Sequence, residues 1–148
     1  MQNWKKVIPA LTLSLSLTLS ALPAGAVTWT VANQSTIAWN EVVQTSEGKP
    51  FTEGDVIKYG IYIVDENKPK AEATKLGETE ALEYTITFTE EGRWLIGIEA
   101  IRIPVASPSD RQLSAKTWSD STDVAAVPVP FGFVYFAAPA EVGGLGPK

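Results

Sequence analysis

The chain has 148 residues, a formal net charge of −5, and neither cysteine nor histidine; this length suits one domain with its own hydrophobic core. Without cysteine and histidine it lacks disulfides, thiol nucleophiles, thiolate metal ligands and the usual general base at neutral pH, so we expect no enzyme activity, metal or cofactor. The acidic charge argues against binding to nucleic acid or to anionic membrane surfaces.

The first 26 residues have the three parts of a cleavable signal peptide. Lysines at positions 5 and 6 form a positive start, an apolar run with interspersed hydroxyl residues covers 7–22, and small residues occupy 24–26. A retained transmembrane anchor is the alternative, but the run is shorter than the about 20 apolar residues that a spanning helix needs. We therefore expect cleavage after Ala26, a mature chain of residues 27–148 without a membrane span, and a secreted or periplasmic location.

The mature sequence predicts an all-β fold of about seven antiparallel strands. Short segments rich in β-branched and aromatic residues alternate with turn residues at the spacing of a β-sandwich. Strict alternation places Trp29, Trp39 and Trp94 on core faces and leaves Trp118 exposed. The weakly patterned residues 71–80 hold either a short edge strand or a turn of helix. The predicted strands cover residues 27–31, 36–39, 57–64, 82–88, 93–101 and 113–118.

Residues 123–148 differ in composition from the predicted sandwich of residues 27–122. They are rich in proline and glycine, which is typical of a linker or tail, and they contain one aromatic run at 131–136. In an extended chain Phe131, Phe133 and Tyr135 would share one side, and a monomer should not leave such a surface exposed. The run therefore either docks on the sandwich as an extra edge strand or pairs with the open sheet edge of a partner.

Four segments resemble, in order and spacing, strands of a fibronectin type III module over residues 27–121. The first of them contains Trp39, at the place where the family packs a tryptophan in the centre of its core. A loop at 47–51 resembles the acidic, glycine-containing loop that often precedes the third strand in bacterial members. The resemblance implies an immunoglobulin-like sandwich, with another sandwich of that type as the alternative. The four segments are 35–40, 57–62, 88–100 and 113–120.

The segment 88–100 is similar to the corner between strands E and F of this family, but it departs from the family pattern at Phe88, Glu90 and Gly92 and, most importantly for the corner, at Trp94. The family has a tyrosine there, and its hydroxyl bonds back to the main chain and fixes the corner. A tryptophan has no hydroxyl, so the indole N–H is the donor that would have to replace it.

The sequence favours binding over catalysis: an adhesive, scaffolding or accessory module at the cell surface or in the periplasm, with a protein partner or with self-association. The candidate contact residues are Phe131, Phe133, Tyr135 and Trp118. The first alternative is a carbohydrate-binding accessory module in which Trp118, as the exposed aromatic residue, stacks on a polysaccharide.

The second alternative is a small hydrolase that uses a pair of carboxylates, which glycoside hydrolysis requires on opposite sides of a cleft. The candidate pairs are Glu90 with Glu91 and Glu78 with Glu80, and their turn-like surroundings indicate solvated surface charge. The acids Asp110, Asp120 and Asp123 do not have the spacing of a calcium-binding loop.

Overall fold

The computed structural model describes residues 26–140, which form two β-sheets and a single 3₁₀ turn at Lys70–Glu72. This part of the chain contains no helix with the length and apolar character needed to cross a membrane. The strands are β1 (Thr28–Val31), β2 (Gln34–Ala38), β3 (Val56–Asp65), β4 (Thr74–Thr79), β5 (Glu83–Thr87), β6 (Gly92–Ile103), β7 (Gln112–Leu113), β8 (Thr117–Trp118) and β9 (Phe131–Tyr135).

The larger sheet has the strand order β1-β9-β6-β3-β4, and the short strands β7 and β8 also pair with β6. Its centre is the antiparallel pair β3–β6, which stays in register from Val56 opposite Ile103 to Asp65 opposite Trp94. β1 and β9 run parallel. The expectation of antiparallel strands throughout is therefore wrong at this pair, and the sheet is mixed. The smaller sheet consists of β2 and β5, which are antiparallel.

The two sheets pack against each other because alternate residues of their strands are apolar. In β5 the side chains of Tyr84 and Ile86 point inward, whereas Thr85 and Thr87 face outward and bond across to β2. Burial of each large apolar side chain contributes roughly 1.5–3 kcal/mol. Both sheets contribute to one core cluster, which comprises Ile37, Ile61, Ile86, Phe88, Ile96 and Phe133.

The outer face of the larger sheet is also covered, by aromatic rings that carry cations. Arg93 lies 5.1 Å from the ring centroid of Trp29, and Lys70 lies 5.5 Å from that of Trp118. Trp29 is opposite Gly132 in the β1–β9 register, on the face opposite the buried Phe133. The prediction that Trp29 faces the core is therefore wrong: alternation defines two faces of a strand but does not say which one faces inward.

The C-terminal half differs most from the sequence prediction. The predicted strand 113–118 is two short strands, β7 and β8, and the weakly patterned region 71–80 contains the whole of β4. β9 lies between β1 and β6, so it is an interior strand and not an edge strand. The packed fold consequently extends beyond the predicted boundary at residue 122, into the segment that was expected to be a tail.

The turn that leads into β6 is closed by the indole that replaces the tyrosine of the predicted corner. Nε1 of Trp94 donates a hydrogen bond to the carbonyl oxygen of Glu90 at 3.1 Å. The ring of Trp94 packs against the core cluster. A side-chain donor thus bonds back to the main chain at the start of β6.

Candidate binding cleft

A cleft of about 450 Å³ lies beside β2, where the smaller sheet leaves part of the larger sheet uncovered. Residues 37–42 form one wall, and no residue of β5 lines the cleft. Ile96 and Ile98 of β6 and Phe131 at the start of β9 lie on the opposite side. Of β2 itself only Ile37 and Ala38 line the cleft, and Ala125, Ala126 and Val127 border it as well, so the cleft lies beside the last residues of β2.

The edge of β2 that borders the cleft has free main-chain groups. The amide of Trp39 donates to Leu82 at 3.0 Å, and the carbonyl of Asn33 accepts from Phe88 at 2.9 Å. In an antiparallel pair these bonds alternate along the strand, so the odd-numbered residues of β2 bond to β5 and the even-numbered ones point away. The N–H and C=O groups of Thr36 and Ala38 thus face the cleft side, and within residues 26–140 no strand pairs with them.

Trp39 adds a side-chain donor to the cleft wall. Its Nε1 is buried and has no hydrogen-bond partner among the described residues. The ring is held by Tyr59, with centroids 5.4 Å apart, and the Tyr59 hydroxyl accepts the amide of Val42 at 3.0 Å. A buried donor without an acceptor costs about 1–3 kcal/mol, so an acceptor on a ligand would recover that energy.

The cleft combines an apolar side with polar groups at its rim. Ile96, Ile98 and Phe131 offer apolar surface, whereas Glu41, Ser114 and Thr117 contribute polar atoms. Such a combination suits a ligand that is apolar on one side and carries main-chain donors and acceptors along its length.

The four predicted contact residues have different surroundings. Phe131 lines the cleft, whereas Phe133 is buried in the core and Tyr135 packs against it. The ring of Trp118 lies against Gly97, on the outer face of β6, and Lys70 lies over it. Trp118 also lines the cleft, so two of the four predicted residues, Phe131 and Trp118, border it, and Phe133 and Tyr135 do not.

Two of the acidic residues considered for catalysis or metal binding, Glu78 and Asp120, form ion pairs. Glu78 pairs with Lys75 and with Arg111, whose Nη2 lies 2.7 Å from Oε2, and the two cations hold the pKa of this carboxyl below its ordinary value. Asp120 pairs with Lys70 at 2.6 Å. Among residues 26–140 no three acidic side chains come together in a way that would hold a metal ion.

Sequence reasoning missed a buried acid on the outer face, Glu99. This residue is 4% exposed, accepts the hydroxyl of Tyr62 at 2.7 Å, and lies 3.4 Å from the amine of Lys116. Burial, and next the hydrogen bond to Glu99, raise the pKa of Tyr62 from 10.0 to about 12. Glu99 occupies an outward position of a well-patterned strand, where alternation predicts a solvated charge, and its burial depends on side chains such as Tyr62 and Lys116 from elsewhere in the chain.

Replacing Glu99 by glutamine should lower the pKa of Tyr62 from about 12 towards 10. The amide keeps an acceptor but removes the negative charge that opposes the tyrosinate. A phenol whose pKa is raised by folding stabilises the fold fully below its unfolded pKa near 10, and this contribution disappears as the pH rises through 12. The test is a titration of tyrosinate absorbance, with Tyr62→Phe to assign the signal.

Glu80→Gln is the matched control for this titration, because Glu80 is exposed and pairs with Lys58 at 3.6 Å. Its Tyr62 titration should match that of the unsubstituted protein. A Tyr62 pKa that does not change in the Glu99→Gln protein would show that Glu99 has no influence on the phenol.

Comparison with known proteins gives no relative from which a function could be transferred. No protein-family model, no curated protein and no solved structure matches this chain.

Proposed function

We propose that this chain is an exported, non-catalytic binding module with a fibronectin type III-like sandwich, and that its ligand is an extended polypeptide segment lying along β2. The observation that carries the proposal is the free edge of β2 beside an apolar cleft. Strand addition uses such an edge: main-chain hydrogen bonds provide affinity, and pockets for alternate side chains provide specificity.

Two observations support the sandwich of this type. The two sheets share one core, with Trp39 packed against it from the end of β2, as the family resemblance implies. The indole of Trp94 supplies the bond that closes the corner before β6. The parallel pair of β1 and β9 departs from the antiparallel arrangement that the resemblance implied. What we propose is therefore the sandwich type, and not that every strand pairs as it does in the family.

We infer the chemistry of the ligand from the residues that line the cleft. An extended segment would exchange main-chain bonds with Thr36 and Ala38, and its alternate side chains would contact Ile96, Ile98 and Phe131. A backbone or side-chain oxygen of the segment would accept the indole N–H of Trp39. The side chains of the segment that point into the cleft would meet apolar residues. We therefore expect the peptides that bind to have large aliphatic residues at every second position.

The structure gives less support to the two alternatives, the carbohydrate-binding module and the hydrolase, than to peptide binding. A sugar ring that stacked on Trp118 would have to displace Lys70, whose amine lies 5.5 Å from the ring centroid. The carboxylate pairs proposed for hydrolysis lie on the surface, where Glu78 is neutralised by Lys75 and Arg111. A histidine or cysteine nucleophile is absent from the sequence.

The proposal is tested by screening the chain that begins at Val27 against a displayed library of ten-residue peptides. We expect the selected peptides to alternate aliphatic and small polar residues, and Ala38→Pro to weaken their binding by about tenfold or more, because proline removes a free-edge N–H. Thr85→Pro is the matched control. The N–H of Thr85 points to the other edge of the smaller sheet, away from the cleft. The Thr85→Pro protein should therefore keep its affinity for the peptides.

Two results would count against the proposal. One is a library from which no peptide is selected by the folded protein. The other is equal weakening by Ala38→Pro and Thr85→Pro, which would place the peptides elsewhere than on the edge of β2.

A further inference from the structure

The smaller sheet has a second free edge, on the side of β5 that faces away from β2. The even-numbered residues of β5 make the main-chain bonds to β2, since the carbonyl of Leu82 and the amide of Phe88 both bond to residues that flank β2. The N–H and C=O groups of Glu83, Thr85 and Thr87 therefore point away from β2. Within residues 26–140 no strand pairs with this edge.

This edge lacks the features that usually keep an edge strand from pairing with another chain. Protected edge strands commonly carry lysine, proline or a β-bulge. β4, at the edge of the larger sheet, has Lys75 and a shift of register in its pairing with β3. β5 contains neither lysine nor proline, and it pairs with β2 without a shift of register. Its one charged residue is Glu83, at its first position, so the edge is open to a further strand.

The larger sheet leaves this edge accessible. Residues 80–82 connect β4 directly to β5. The hydroxyl of Tyr84 reaches across to Gly77 of β4, where a Cβ atom would lie 3.1 Å from it. β5 thus lies over β4, the outermost strand of the larger sheet. The two sheets end on the same side of the molecule, so no strand of the larger sheet stands between the edge of β5 and a second chain.

We propose that a second copy of this chain adds its own β5 to this edge, so that two copies share one four-stranded sheet with the order β2-β5-β5-β2. A twofold axis at Thr85 pairs the two strands antiparallel over their full length. Thr85 then lies opposite the partner's Thr85, and Glu83 lies opposite the partner's Thr87. No two like charges face each other in this register, and the outward N–H and C=O groups of both strands are paired.

The side chains on both faces of β5 suit this pairing. On the outer face Thr85 already bonds to Thr36 of β2 at 2.8 Å, and the partner's threonines would extend this row of hydroxyl groups. On the inner face Tyr84 would lie opposite the partner's Ile86, which continues the apolar side of the sheet. Leu82, which is 41% exposed just before β5, would be covered by the partner strand.

This contact surface is separate from the peptide site proposed above. It lies along β5, whereas the cleft and the free groups of Thr36 and Ala38 lie on the other edge of the smaller sheet. A dimer formed through β5 would therefore keep both edges of β2 free, at the two ends of the shared sheet. Two peptide sites in one particle would bind a multivalent partner more tightly than either site alone.

The test is sedimentation equilibrium on the chain that begins at Val27. We expect the mass of a dimer at high protein concentration and that of a monomer on dilution, because one pair of short strands makes a small interface. Thr85→Pro should raise the dissociation constant of the dimer about tenfold or more, since proline removes the N–H at the centre of the contact. Ala38→Pro is the matched control: it removes an N–H from the other edge and should leave the dimer unchanged.

Thr87→Lys tests the register through a gain of affinity, which a loss of folding cannot produce. The lysine would lie opposite the partner's Glu83, and the twofold axis makes this pair twice. The dissociation constant should therefore fall about fivefold. This gain should disappear when Glu83→Gln is added to Thr87→Lys, because the opposite charge is then absent.

A chain that stays monomeric at every concentration would overturn the inference. A dimer that Thr85→Pro leaves intact, or that Ala38→Pro dissociates, would also overturn it, since the contact would then lie elsewhere than on β5. The same holds for a Thr87→Lys dimer that is no tighter than that of the unsubstituted protein. The peptide screen is independent of these results: peptides selected through the edge of β2 by a monomeric protein would support the proposed function while the present inference fails.

Discussion

Replacing Phe133 by alanine should lower the free energy of unfolding by about 3–5 kcal/mol, a large part of the stability of a domain of this size. Phe133 is 7% exposed and belongs to the core between the two sheets. Its ring packs against Phe88, with centroids 5.3 Å apart. Removing the ring loses this contact and leaves a cavity that the neighbouring strands cannot close completely. Urea unfolding followed by tryptophan fluorescence measures the loss.

Phe136→Ala is the matched control, because Phe136 follows β9 directly and is 65% exposed. Its effect should stay within about 0.5 kcal/mol. By the same reasoning a chain that ends at Ser121 should not fold, since it lacks the strand between β1 and β6. Equal effects of the two phenylalanine substitutions, or a stable fold for the shortened chain, would show that β9 does not contribute to the core.

Replacing Gly97 by valine should cost about 1–3 kcal/mol, because the outer face of β6 has no room for a side chain at this position. A Cβ atom here would lie 2.9 Å from Cζ3 of Trp118 and 3.0 Å from two further ring carbons. β6 is paired with β3 and β8 on either side of Gly97, so the strand cannot move aside. The indole would have to leave, and its contact with Lys70 would be lost.

A double-mutant cycle separates this steric effect from a simple loss of strand stability. In a Trp118→Ala background the ring is absent, so Gly97→Val should be less destabilising by about 1 kcal/mol than in the unsubstituted protein. Chemical denaturation of the four proteins gives this coupling. Strictly additive effects would mean that the indole is not what restricts Gly97.

The long strands could be predicted from the sequence because their patterns are unambiguous. The alternation of Tyr84, Ile86 and Phe88 with threonine predicts β5, and a similar pattern predicts the extents of β3 and β6 to within a few residues. These strands are long enough for a period of two to stand out. β4 has small and charged residues in place of a pattern, and its pairing with β3 is what makes it a strand.

β9 was harder to assign because its position depends on residues far away in the sequence. The proline and glycine around residues 131–136 are typical of a tail, and only the pairing with β1 and β6 gives this run its place inside the sheet. Docking on the sandwich was one of the two expected outcomes for this run, although as an edge strand. The aromatic run at 131–136 predicted that these side chains would be buried, but it did not predict that β1 and β6 would be the neighbouring strands.

The cleft could not be predicted from the sequence either, because it too depends on which strands pair with each other. It exists because the smaller sheet has only two strands in the described residues, and the number of strands in each sheet follows from the strand pairing. Trp39 was correctly predicted to pack on the core, as the structure shows. Its unpartnered indole N–H, however, could not be deduced from the alternation of β2, since alternation gives no information on hydrogen-bond partners.

The parallel pairing of β1 with β9 determines when this domain can form during synthesis. Thr28 is opposite Phe131, so the first strand made has to wait for the last one before it gains its neighbour in the sheet. Until β9 is available, the core cluster to which its Phe133 belongs stays incomplete and accessible to other nascent chains. Contacts so distant in sequence slow folding and lengthen the exposure to aggregation. The order of synthesis thus lengthens the time for which the incomplete sheet of residues 26–140 is exposed to other chains.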